Sequence, residues 1–193
     1  MTTIAQKPNA FLTKQTVALE GRKLKDGDQV WSKAGKVLLV SRLRTNTHRV
    51  VATHFDQNVL GNTWWSFDAG ELSHAQVKSI LLCLNSSIGI LSYFGARAIT
   101  QGAWVQMKKP AWESMLVLDV RKLREKQLLA LATAYDTLAT QGLQALAQLD
   151  IDPVRIKIDE AICKQLGITS LRPVRELLAR EPGLTGHAAG TEH

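Results

Sequence analysis

The chain has 193 residues, of which 45% are apolar, 21% charged and 6% aromatic; this supports a packed core of one or two small domains and excludes wholesale disorder. The longest apolar stretch, residues 79–91, is interrupted by Asn85, Ser86, Ser87 and Gly89 and falls short of the roughly 20 residues that a membrane span requires. The net charge is +7, and it is uneven: residues 1–119 hold 14 Lys and Arg against 8 Asp and Glu, leaving +6, while residues 120–193 hold 10 against 9, leaving +1. A basic excess confined to one region is the footprint of a polyanion-binding surface, although charge alone does not separate that from a merely basic protein. The opening Met1-Thr2-Thr3-Ile4-Ala5-Gln6-Lys7-Pro8 has no apolar run behind a basic start, so no secretory signal is expected and the cytoplasm is the expected location. Cys83 and Cys163 are far apart in apolar, helix-like contexts and read as free thiols.

Residues 1–30 are polar, with Gly21 and Asp26-Gly27-Asp28, and read as an irregular segment. From Trp31 the texture changes to short β-branched and aromatic runs: Lys36-Val37-Leu38-Leu39-Val40, Arg49-Val50-Val51-Ala52-Thr53-His54-Phe55, Asn58-Val59-Leu60 and Thr63-Trp64-Trp65-Ser66-Phe67. These predict strands, with turns at Ala34-Gly35, Thr45-Asn46-Thr47-His48, Asp56-Gln57 and Gly61-Asn62. Val77, Ile80, Leu81, Leu84, Ile88 and Leu91 then recur at helical spacing behind a Ser73 cap, predicting one helix over about 73–94 that lies on the sheet. Residues 96–107 read as extended, followed by a short amphipathic turn at 111–115. A long helix is expected over 121–148, with Gly142 a candidate break within it, a second over 152–167 behind Asp152-Pro153, and a third near 172–181. The expected fold class is α+β, a small antiparallel or mixed sheet packed on a central helix and followed by a helical C-terminal region. The expected divisions are 1–30, an α+β domain at 31–119, helices at 120–183 and a disordered tail at 184–193.

Several chemistries lack their local signatures. No Gly-x-Gly, Gly-Lys-Ser or Gly-Lys-Thr occurs, so the loops that cradle dinucleotide and nucleotide phosphates are missing. No two prolines are consecutive, which removes the Asp/Asn-Pro-Pro-aromatic loop used to methylate an exocyclic amino group. His48 and His54 stand six apart without a carboxylate at ligand spacing, and His187 and His193 lie in the tail, so neither metal binding nor general base work is assigned. Asp159-Glu160 reads as an exposed helix face. No catalytic residue, metal ligand or cofactor-binding residue is expected, and the chain is not expected to be an enzyme by itself.

Two stretches combine positive charge with planar and hydrogen-bonding side chains. The first, Arg42-Leu43-Arg44-Thr45-Asn46-Thr47-His48-Arg49, carries three guanidiniums and several short polar groups between strands. Arg can clamp a phosphate or the edge of guanine bidentately, and Asn can pair with the edge of adenine. The second runs from Arg97 through Thr100, Gln101, Trp104 and Gln106 to Lys108 and Lys109. Together they give Arg42, Arg44, Thr45, Asn46, His48, Arg49, Arg97, Gln101, Trp104, Gln106, Lys108 and Lys109 as candidate DNA contacts. The same residues also read as a solvated hairpin with Trp104 in the core. Trp64 and Trp65, adjacent in a strand, face opposite sides, so only one can enter a one-sided core; Trp64 is taken as a further contact.

Leu82-Cys83-Leu84-Asn85-Ser86-Ser87-Ile88-Gly89-Ile90-Leu91, then Gly102-Ala103-Trp104-Val105-Gln106-Met107-Lys108-Lys109, then Met115-Leu116-Val117-Leu118-Asp119 resemble, in that order, the target-recognition domain of DNA adenine methyltransferases from restriction-modification and phage-defence systems. The strands upstream and the helix around Ile158-Asp159-Glu160-Ala161 fit the same pattern, so the resemblance covers about residues 31–183. It departs from the full enzymes in lacking the catalytic and methyl-donor domain, and Leu118-Asp119 stands where proline is common. The resemblance implies a specificity module for double-stranded DNA, working with a methyltransferase or other defence subunit that would hold S-adenosylmethionine. The alternative is an interaction subunit that docks onto a larger assembly through its helices at 121–181.

Overall fold

The computed structural model describes residues 27–98 and 104–185; the readings placed on 1–26, 99–103 and 186–193 lie outside it. After a short helix α1 (Gly27–Trp31), the chain enters β1 (Gly35–Val40), continues through β2 (Arg42–Leu43), β3 (Ala52–Val59) and β4 (Trp64–Phe67), and then turns helical. The sheet is antiparallel in the order β3-β1-β4, with β1 central: Leu38 pairs with Thr53 on one side and Ser66 on the other. The two strands expected at 49–55 and 58–60 are one, because β3 passes straight through Asp56-Gln57 and takes up the irregularity as a register shift opposite residues 35–37. Gly35 is needed where the sheet is tightest, since a Cβ there would sit 2.8 Å from that of Ser66. The fold is α+β, as the alternation of strand and helix periods predicts.

The single helix expected over 73–94 is two, α2 (His74–Leu84) and α3 (Ser87–Ala96), bent by 72°. α2 opens with a reciprocal capping box, in which Ser73 Oγ accepts from the Gln76 amide and Gln76 Oε1 accepts from the Ser73 amide. It ends because Asn85 and Ser86 take over the backbone groups that a continuing helix would use. Ser86 caps α3 and donates its hydroxyl to the Cys83 carbonyl at 2.6 Å. Asn85, fully buried, donates to the carbonyls of Ala52 (2.8 Å) and Leu81 (2.9 Å) and accepts from the amides of Val51 and Ala52, tying the break to β3. Gly89 lets α3 fold back closely, since a Cβ there would stand 2.6 Å from the Leu84 Cα.

Beyond α3 come β5 (Val105–Gln106), α4 (Lys109–Ser114), α5 (Glu125–Ala139), α6 (Pro153–Leu166), α7 (Arg172–Leu178) and α8 (Pro182–Thr185). α5 is shorter than the helix expected at 121–148, and residues 140–152 loop back through a 3₁₀ turn at Leu146–Gln148. α8 lies where Glu181-Pro182-Gly183 was expected only to stop a helix. One hydrophobic cluster runs from Val37 and Val40 through Leu81, Ile90 and Tyr93 to Leu131, Ile158, Ile162 and Leu184. α5 and α6 therefore pack on the sheet-bearing part across the division expected near residue 119, and the two share a core. No single helix among the described residues is long and apolar enough to cross a membrane.

A buried polar knot joins these layers. Asp159 of α6 accepts from the Ser87 amide (2.8 Å), the Ser87 hydroxyl (2.6 Å) and the Arg175 guanidinium of α7 (2.5 Å). This overturns the exposed-face reading for Asp159, which is 2% exposed, whereas Glu160 is exposed. Arg155, wholly buried, donates to the carbonyls of Asn85 and Arg49 and lies 3.8 Å from Asp152, which itself caps α6. Burial draws the Arg155 guanidinium down to about 10, opposed by Asp152 and Asp159, so it remains charged at neutral pH.

Truncating one member of a buried ion pair leaves the other uncompensated, so Asp159→Ala should destabilise the fold by about 3 kcal/mol or more. Gly89→Ala should cost about 2 kcal/mol, since its Cβ meets backbone that cannot retreat, while Gly95→Ala, whose Cβ meets nothing within 4 Å, should be neutral or stabilise by about 0.5 kcal/mol. Urea unfolding of the three variants checks the ranking.

Candidate nucleic-acid interface

The two basic stretches singled out in the sequence meet. β2 and β5 form a short antiparallel ribbon in which Arg42 pairs with Gln106 and Leu43 with Val105. Strand alternation sorts its residues: Leu43, Val105 and Met107 are buried in the core, while Arg42, Arg44, Gln106 and Lys108 are exposed. Half-buried Trp104, next along β5's approach, lies under both arginines, with the Arg42 and Arg44 guanidinium carbons 4.3 and 4.5 Å from its ring centroid. Neither guanidinium makes an ion pair among the described residues. Main-chain bonds anchor the ribbon, with the Met107 amide donating to the Ser41 carbonyl and the Ser41 amide to Thr63. α4 fixes the following lysines, because Trp112 donates its indole N–H to the Val40 carbonyl (3.0 Å) and packs its ring on Tyr93.

The rest of the first stretch divides between surface and scaffold. Asn46 is exposed beside the arginines. Thr45, by contrast, is 5% exposed and its carbonyl accepts from the Ala147 amide, while the His48 carbonyl accepts from Leu146. Arg49, expected at the interface, is exposed but tethered, donating to the Leu143 carbonyl at 3.1 Å. The 3₁₀ turn therefore staples the backbone of the second half of this loop, while Arg42, Arg44, Asn46, Thr47 and Arg49 keep exposed side chains.

Arg97 is likewise consumed internally: it donates to Glu181 (2.8 Å) and the Phe94 carbonyl (2.7 Å) and covers the Phe94 ring. Lys109 is exposed and makes only a loose 3.6 Å pair with Glu113, an arrangement worth little in water. Gln101 lies outside the described residues. Of the paired tryptophans, Trp64 packs against the core and over Gly61, and Trp65 is the exposed one at 44%. The alternation was visible in the sequence, but which ring faces inward depends on the register of β4 against β1.

Burial pushes the Cys83 thiol up to about 11, far from a reactive thiolate. Among the described residues no His, Cys, Asp and Glu side chains cluster as metal ligands. An apolar groove of about 630 Å³ opens between β1, β4 and α2 beside Trp112, lined by Leu39, Phe67, Ile80 and Leu84, with Lys33 and Asp68 among its few charged groups. Comparison with protein families, curated proteins and solved structures finds no match to the chain.

His48 closes the loop of the ribbon, its Nδ1 lying 3.1 Å from the Arg44 amide and 3.2 Å from the Arg44 carbonyl. Burial holds its pKa below the ordinary imidazole value, outweighing the opposing hydrogen bond to Arg44. His54 is lowered too, by burial first, with Asp56 opposing and Lys36, His74 and Lys78 assisting. Both folded-state values lie below the unfolded one, so their contribution is complete above about pH 6.5 and is lost as pH falls through the lowered values. Thermal melting between pH 7.5 and 5.5 should therefore show declining stability on the acid side, and a His48→Gln/His54→Gln variant should decline less.

Proposed function

We propose that the chain is a non-catalytic, sequence-specific DNA-binding module that reads double-stranded DNA for a DNA adenine methyltransferase or another subunit of a restriction-modification or phage-defence system. The observation that carries this reading is the β2–β5 ribbon, on whose outward face Arg42, Arg44, Gln106 and Lys108 stand together while the alternate residues enter the core. A two-stranded ribbon is one of the elements that the major groove admits, and Arg, Asn and Gln are the side chains that pair bidentately with guanine and adenine edges there. Lys108 and Lys109 suit the backbone, where contacts position a protein without reading sequence. The resemblance of the order of motifs to that of methyltransferase recognition domains supports the same reading. On that resemblance the methyl donor belongs to the partner chain, since this sequence has no glycine loop to cradle it.

The rival reading, docking through the C-terminal helices, draws less support. The apolar faces of α5, α6 and α7 are turned into the shared core through Leu131, Tyr135, Leu138, Ile158, Ile162 and Leu178, and what they leave exposed is scattered over separate elements, as Leu129 and Leu177.

Titration of a labelled random-sequence duplex with the full chain, at two or more salt concentrations, tests the proposal. Affinity should fall steeply with salt, Lys108→Ala/Lys109→Ala should reduce the slope of log K against log salt by about 2, one phosphate contact for each lysine, and Arg42→Ala/Arg44→Ala should weaken binding. Arg97→Ala should leave that slope unchanged. Binding that is absent or insensitive to salt refutes the reading.

A further inference from the structure

Trp104 is the aromatic residue of the basic ribbon face, and its surroundings assign it a role of its own. An aromatic side chain on a nucleic-acid-binding surface ordinarily serves as a platform on which unstacked bases lie, the recognition mode of single strands. Here the ring already carries two guanidiniums, 4.3 and 4.5 Å from its centroid. Those two cations share one ring with no carboxylate paired to either among the described residues, and like charges repel. The attraction of each guanidinium for the ring quadrupole offsets part of that repulsion, and an arriving anion would relieve the remainder. A long side chain that is already ordered also loses less freedom on binding than one that is not.

Resting on the DNA-binding reading above, we infer that Trp104 is a positioning residue, which holds Arg42 and Arg44 as a preformed fork for the closely spaced phosphates and base edges of a double helix and does not itself stack on a base. The ligand class is therefore paired DNA in preference to a single strand. Gln106, directly across the ribbon from Arg42, is exposed on the same face.

The test is a mutant cycle on the full chain, with a labelled random-sequence duplex and one of its separated strands as probes. Trp104→Ala should weaken duplex binding about tenfold through two lost guanidinium–ring contacts, and Trp104→Phe should restore most of it. In an Arg42→Ala/Arg44→Ala background, Trp104→Ala should have no further effect. A loss that persists without the arginines, or one that is larger for the single strand than for the duplex, shows that the ring touches bases directly and overturns the inference while leaving DNA binding intact. Failure of the unaltered chain to bind either probe removes the parent reading and this one together.

Discussion

The turn at Asn85-Ser86-Ser87 is the constraint on which the arrangement of layers depends. A helix that continued through it would carry Ile88 to Leu91 away from the sheet. Instead, Asn85 satisfies backbone groups of both β3 and α2, and Ser86 caps the next helix. A break of this kind exposes main-chain donors and acceptors inside the protein, where each unpaired group costs about 1–3 kcal/mol. α6 and α7 supply the missing partners: Arg155 reaches the Asn85 carbonyl, and Asp159, braced by Arg175, takes the Ser87 amide and hydroxyl. The C-terminal helices are thus required by the central bend, which explains why a chain whose charge and texture change near residue 119 has an undivided core.

The same dependence reaches the ribbon. Arg155 also holds the carbonyl of Arg49, and the segment following α5 takes the carbonyls of Thr45 and His48. The polypeptide on the distal side of the arginine loop is therefore fixed by residues a hundred positions away, and the arginines on its near side project from a supported frame. Arg97, half-buried, is engaged by Glu181 and the Phe94 carbonyl, and Arg49, though exposed, is tethered to the Leu143 carbonyl. Arg42 and Arg44 are left with their guanidiniums on the Trp104 ring.

Strand and helix periods made the α+β class, the strands of the sheet and the cap at Ser73 legible in the sequence, because hydrophobic alternation and capping chemistry are local. The bend at Asn85 was hidden, since an apolar stripe continues on both sides of it and only a tertiary partner decides whether Asn-Ser-Ser interrupts a helix or decorates one. For α6 the signal is present in the sequence: Arg155 and Asp159 share the helical face of Ile158 and Ile162, which marks them as inward charges. Composition gathered two stretches that do meet in the fold, yet could not tell a guanidinium without an internal hydrogen-bond partner from one tethered to a carbonyl, because that distinction rests on pairings such as Arg49 with Leu143 that lie far apart in sequence.

Alternation along β2 and β5 has a consequence for how such a surface can change. The residues that build the interior and those that face outward occupy successive positions of the same strands, so a new set of outward side chains can be written between Leu43, Val105 and Met107 with the packing untouched. The chemistry of the outward face can then change over a handful of codons without a compensating change elsewhere, whereas exchanging the whole region for another would tear open the common interior.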